Sequence, residues 1–288
     1  MRLFGKTRAR RRSRGQPWVA TALAVIAGVL WNGSAAGAVT DGLPDSMAAI
    51  GDSITQATNS DLLHIGASDP AKSWSTGNGP GDIVSSHYER ILTRNRNVAG
   101  RSLNASVPGA VMSHAPTQAA TVVQQGAEYV TVLMGTNDVC ASSKDTMTSV
   151  SAYESAFRDT MAVLTTGLPA AKIYAVSVPD VYQLWTLSRY NLVAQLTWEY
   201  FRICPSMLAR SNTEADRQFA RARNLDFNRV LRQVCAEYAQ CRYDDDRVFH
   251  HRLTPADVSL VDYFHLSTAG QSTLAEITWS QGYWPGSG

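Results

Sequence analysis

Residues 46–55 read SMAAIGDSIT, an uncharged run that breaks at Gly51 and then presents one carboxylate and two hydroxyl groups. A short apolar run closed by a glycine has the pattern of a buried strand delivered into a sharp turn. The pattern returns at 129–138, YVTVLMGTND, and at 172–178, KIYAVSV. Working outward, strands are expected at Ser46–Ile50, Arg96–Ala99, Tyr129–Met134, Lys172–Val178 and Arg247–His250. Between them, apolar residues recur at helical spacing over His87–Thr93, Thr117–Gln125, Val150–Thr165, Leu187–Cys204, Glu214–Gln240 and Thr268–Trp279. Strands alternating with helices predict an α/β fold with a parallel sheet covered on both faces, the doubly wound arrangement. The glycine-rich WSTGNGPGD at 74–82 fits neither a dinucleotide fingerprint nor a phosphate loop and is expected to be a surface loop.

Of the 288 residues, 44% are hydrophobic and 17% charged, a balance that supports a buried core and excludes a disordered chain. The 26 Lys and Arg nearly match the 24 Asp and Glu, so the chain is not a generally basic nucleic-acid binder. The charge is unevenly placed. Residues 1–38 carry seven basic residues and no acidic one, followed within that span by the apolar WVATALAVIAGVLW at 18–31 and the small residues Ala36-Gly37-Ala38. This is the layout of a secretory signal peptide, and the apolar stretch is shorter than the roughly 20 residues that cross a bilayer. A mature chain of residues 39–288, expected to be one domain, then holds 19 basic against 24 acidic residues, a net charge of −5.

An exported chain with an even number of cysteines is expected to pair them. Cys140, Cys204, Cys235 and Cys241 permit three pairings. The short loop CAEYAQC favours Cys235 with Cys241, which leaves Cys140 for Cys204, while the other two pairings stay open. No Cys-x-x-Cys or HExxH pattern occurs, so no metal is expected. On a strand the adjacent His250 and His251 would face opposite ways.

In a parallel sheet, ligands sit beyond the carboxyl ends of the strands. After the first strand, Ser53 is a candidate nucleophile; by itself the Asp52-Ser53 pair also suits a helix cap. After the third, Gly135-Thr136-Asn137-Asp138 offers the Asn137 amide as a donor to a developing oxyanion, or simply a turn. Near the C-terminus, Asp262-Tyr263-Phe264-His265 spaces a carboxylate and an imidazole three residues apart, as a base and its orienting partner require. Asp180, between strand and helix, reads as a cap. The aromatic residues between Val181 and Phe201, with Tyr182 and Trp185 foremost and Tyr190, Trp198, Tyr200 and Phe201 beside them, suggest a channel for a hydrocarbon chain or ordinary core packing.

Taken together, GDSIT at 51–55, Gly109 within NASVPGA at 104–110, GTND at 135–138 and DYFH at 262–265 resemble the four ordered blocks of the SGNH, or GDSL, hydrolases. The resemblance implies a flavodoxin-like three-layer α/β/α sandwich with a sheet of about five strands. It also implies Ser53 as nucleophile, Asp262 and His265 as the rest of a triad, and an oxyanion hole from Ser53, Gly109 and Asn137, with no cofactor. The wording of MAAIGDSITQA, SWSTG and MGTNDVC is similar to that of secreted actinobacterial lipolytic members and of phospholipase A- or B-type enzymes. The stretch Thr58–Pro70 departs from several of these relatives. The expectation is a secreted, monomeric serine esterase or lipase acting on carboxylic esters of lipids, with transient contact to a lipid surface. A carbohydrate O-acetyl esterase is the alternative, and a non-catalytic secreted binding protein a more distant one.

Overall fold

The computed structural model describes residues 42–285; the signal-peptide reading of 1–38 lies outside them. Five parallel strands, β1 (Met47–Gly51), β2 (Ser102–Asn104), β3 (Tyr129–Leu133), β4 (Lys172–Ala175) and β5 (Cys241–Tyr243), form one sheet in the order β2-β1-β3-β4-β5. This is the flavodoxin-like order, in which the chain reverses its direction of winding beside β1 and opens a crevice at the strand ends. β1 and β3 pair along their whole length, Met47 opposite Tyr129 and Gly51 opposite Leu133, so the turns that follow them emerge side by side.

Ten helices surround the sheet: α1 (His87–Arg94), α2 (Ala115–Gln125), α3 (Thr136–Val139), α4 (Val150–Gly167), α5 (Tyr182–Ser188), α6 (Leu192–Tyr200), α7 (Pro205–Leu208), α8 (Glu214–Cys235), α9 (Arg247–His250) and α10 (Thr268–Gln281). Side chains alternate along the strands and divide the core in two. Ala48, Ile50, Val130, Val132 and Ile173 pack with Ala119 of α2, Phe157 of α4 and Phe227 of α8. Met47, Tyr129, Leu133 and Tyr174 pack with Ile91 of α1 and Trp279 of α10 on the other face. Helix starts are fixed locally: Ser86 and Glu89 form a reciprocal capping box on α1, and Thr213 and Asp216 do the same on α8.

Three segments differ from the periodicity reading. Arg96–Ala99 is not a strand, because the Asn95 side chain accepts the Asn97 N–H and winds Arg96–Val98 into a 3-10 turn; the strand follows at Ser102. Arg247–His250 is a helical turn, since the buried Asp244 carboxylate accepts the Val248 N–H at 3.0 Å, and Cys241–Tyr243 supplies the strand instead. Leu187–Cys204 is divided, because Asn191 accepts the N–H groups of Val193 and Ala194 and starts α6 afresh. The glycine-rich segment at 74–82 also begins in the core: Trp74 is fully buried and its indole N–H donates to Thr55. Cys140 pairs with Cys204 and Cys235 with Cys241.

Candidate active site

Ser53 stands two residues beyond β1 and is buried. Gly51 is required there by space: a Cβ would lie 2.4 Å from the Thr55 hydroxyl and 2.9 Å from the Leu133 carbonyl. Gln118 of α2 holds the turn with two backbone bonds to Gly51, of 2.9 and 3.0 Å, and Gln271 of α10 donates to the Ile54 carbonyl at 2.7 Å. One glutamine from each covering layer thus fixes where the serine hydroxyl sits.

The segment 258–267 arrives from the other end of the chain and is tied down by the Val258–Leu266 bridge and by the Ser259 N–H donating to the His265 carbonyl at 2.8 Å. It brings His265 Nε2 to 2.8 Å from Ser53 Oγ, and His265 Nδ1 to 2.5 Å from Asp262 Oδ2. A carboxylate accepts, so Nδ1 carries the proton, Nε2 is left as acceptor and the serine hydroxyl donates to it. Burial alone would raise the Asp262 carboxyl, but the His265 and Asn59 hydrogen bonds and the imidazole's charge outweigh it and hold the group below the usual carboxylate range.

The Asn59 contribution was not legible in the sequence. Its Nδ2 donates to Asp262 Oδ2 at 2.6 Å, its Oδ1 accepts the Gly66 N–H, and its carbonyl accepts the Ser259 hydroxyl. The usable signal is an asparagine six residues after the nucleophile, at a left-handed backbone position with φ +54° where that residue type is favoured.

Asn137, on α3, donates through Nδ2 to the Ala110 carbonyl at 2.9 Å and to Asp52 Oδ2 at 3.4 Å. Gly109 precedes that carbonyl by one residue. Its φ of +78° requires glycine, whereas a Cβ there would meet nothing within 4 Å, so backbone conformation rather than packing against the protein restricts the position. Tyr182 and Trp185 point toward α8: the Tyr182 hydroxyl donates to Glu214 at 2.7 Å, and the Arg217 guanidinium covers Trp185 at 3.6 Å. Tyr190, Tyr200 and Phe201 are exposed and wall no channel, because the break at Asn191 turns them outward; Trp198 is buried and its indole N–H donates to the Tyr263 carbonyl at 3.2 Å. Asp180 accepts both an Arg221 bond of 2.7 Å and the Tyr182 N–H.

Among the described residues, the trio spaced for a metal ion is Asp61, His64 and Asp69. Lys72 donates to both carboxylates and supplies the positive charge a cation would bring. A cavity of about 500 Å³ opens beside this loop, lined by Leu62, Leu63, Val258, Leu260 and Val261, neighbours in sequence of Asn59 and Asp262.

Beneath the nucleophile, burial pushes the Asp52 carboxyl up to about 7, against the lowering effects of the Ile54 N–H and of His265. In the unfolded chain the group ionises near 3.8. Between about pH 4 and pH 7 the native state therefore keeps a proton that the unfolded chain has lost, and this group's contribution falls as pH rises through that window. Asp52→Asn cannot ionise. Its melting temperature, relative to the parent, is expected to climb across the window by the equivalent of about 4 kcal/mol. Thermal unfolding at a series of pH values checks this, and parallel profiles would refute it.

Comparison with known proteins places the geometry. A family model described as GDSL-like lipase/acylhydrolase matches residues 49–272. Among solved structures, an extracellular lipase from Streptomyces rimosus is similar at 15% identity, covering 82% of this chain and 99% of that one with a TM-score of 0.51. A lipase from a goat rumen metagenome is similar at 15% identity, 84% and 99% coverage and a TM-score of 0.52. At such identity the likeness is one of fold. No curated protein sequence matches the chain.

Proposed function

The chain belongs to the GDSL-like lipase/acylhydrolase family and is an ester hydrolase, and from that premise we propose that it cleaves carboxylic esters of lipids through an acyl-enzyme on Ser53. The observation that carries this reading is the continuous relay Ser53 Oγ, His265 Nε2, His265 Nδ1, Asp262 Oδ2, with contacts of 2.8 and 2.5 Å. The Ser53 hydroxyl attacks the ester carbonyl carbon while its proton passes to His265 Nε2, and Asp262 stabilises the imidazolium. The tetrahedral oxygen is met by the Ser53 and Gly109 N–H groups and by Asn137, whose longer contact to Asp52 is the one the oxyanion replaces. Collapse breaks the carbon–oxygen bond of the leaving alcohol, which takes the proton from His265. Water then gives a proton to the same nitrogen, attacks the acyl carbon and releases the acid and Ser53.

The lipid reading is supported by the cavity lined by Leu62, Leu63, Val258, Leu260 and Val261, an apolar recess between the two segments that carry Asn59 and Asp262. It has room for hydrocarbon rather than for a hydroxyl-rich sugar ring. Export through removal of residues 1–38 belongs to the same proposal, since two disulfides persist in an oxidising compartment. Turnover of p-nitrophenyl esters from acetyl to palmitoyl, beside acetylated xylan and phosphatidylcholine micelles, tests it. The expected profile has kcat/KM highest for chains of intermediate or greater length; activity confined to acetyl groups would overturn the lipid assignment.

A further inference from the structure

Helix α6 is apolar on two opposite sides, and only one of them has a partner. Ala194 and Trp198 face inward and are buried, with Trp198 bonded to the Tyr263 carbonyl in the segment that carries Asp262 and His265. Leu192, Val193, Leu196 and Tyr200 fall within an arc of about 100° on the far side. All four are exposed, Leu196 at 52% and Tyr200 at 82%, and Tyr190 at 88% and Phe201 at 67% extend the same surface from either end of the helix. Six large hydrophobic groups in twelve residues, all facing water, form a surface of the kind that marks an interaction site.

The charges around it say what it meets. Arg189, Arg202 and Arg210 flank the helix against one acid, Glu199, which lies 4.0 Å from Arg210. Arg189 holds its guanidinium 4.9 Å above the Tyr190 ring, a cation seated at an aromatic edge of the apolar face. An apolar stripe with aromatic ends and a basic rim matches the boundary of an anionic lipid layer, acyl chains below and phosphate above. The remainder of the exported chain is acidic, so the basic rim is local to this face.

We propose that the outer face of α6, with Tyr190 and Phe201, docks onto the surface of an anionic phospholipid layer and seats the candidate active site there through Trp198 and Tyr263. This deepens the lipid-ester reading and rests on it for its biological sense, but its test is independent of turnover. The exported chain carrying Ser53→Ala, collected from culture medium, is sedimented with vesicles of phosphatidylcholine containing phosphatidylglycerol. It is expected to bind, and to bind at least about tenfold less tightly with Leu196→Asp and Phe201→Asp together, or with Arg189→Gln and Arg202→Gln together. All four positions are exposed, so an unchanged melting temperature certifies the fold. Three results would overturn the proposal: no sedimentation of the parent with vesicles, equal sedimentation of parent and Leu196/Phe201 variant, or a parent dimer in solution that the same two substitutions dissociate. Since Ser53→Ala does not turn over, failure here leaves ester hydrolysis standing, and failure of ester hydrolysis leaves vesicle binding unchanged.

Discussion

Replacing Ser53 by Ala is expected to lower kcat on a soluble ester on the order of a millionfold while leaving the fold intact. The serine side chain makes one hydrogen bond, to His265 Nε2 at 2.8 Å, and its removal deletes the nucleophile without opening a cavity of any size. The turn around it is held by other groups: Asp52 accepts the Ile54 N–H at 2.9 Å, Gln118 brackets Gly51, and Gln271 holds Ile54. The loss in stability is therefore expected to stay within about 1 kcal/mol, the net worth of an ordinary hydrogen bond. Two measurements separate chemistry from folding. Thermal unfolding should be nearly superimposable with the parent, and a fluorophosphonate should add its mass to the Ser53 peptide of the parent but not of the variant. Retention of even a tenth of the parent turnover by a folded variant would remove Ser53 from the reaction.

Much of this site was readable before any coordinates because its parts follow strands. Ile50 and Leu133 end fully buried runs, and whatever follows such a run emerges at the mouth of the crevice beside the switch point, so Ser53 and Asn137 were marked by position as well as by type. The Asp262–His265 pair was readable because three residues of separation suffice for contact. Asn59 was not, since nothing in its neighbours announces that its amide turns toward a carboxylate 203 positions away. The strand errors have a similar origin. Arg96–Val98 and Arg247–His250 have apolar patterns that suit β structure, and in both cases one polar side chain, Asn95 or Asp244, captures a nearby N–H and winds the backbone instead. The aromatic cluster at 182–201 shows the converse limit: periodicity located the helical segments, but Asn191 set which side faced water.

Asp262→Asn is expected to lower kcat by about ten-thousandfold with little change in KM, because an amide reverses the direction of one hydrogen bond. Asp262 Oδ2 accepts from His265 Nδ1 at 2.5 Å and from Asn59 Nδ2 at 2.6 Å, and Oδ1 accepts the N–H groups of Phe264 and His265 at 3.0 Å each. With four donors converging on it, the side chain at 262 has to accept at both ends. An Asn oxygen placed on the two backbone N–H groups leaves its NH2 facing both His265 Nδ1 and the Asn59 amide. The imidazole then accepts at Nδ1 and carries its proton on Nε2, where it can no longer receive one from Ser53. Asn59→Ala provides the graded comparison. It removes one donor from the carboxylate and keeps the charge, so kcat is expected to fall only about tenfold to a hundredfold, the worth of a hydrogen bond to a charged group. Since the Asn59 bond is among the forces holding the Asp262 carboxyl low, its loss should also move the acid limb of the kcat profile to higher pH. A purely structural role for Asn59 would change the melting temperature and leave that limb in place; steady-state kinetics across pH on the two variants therefore distinguish a residue that positions the relay from one that merely ties a loop.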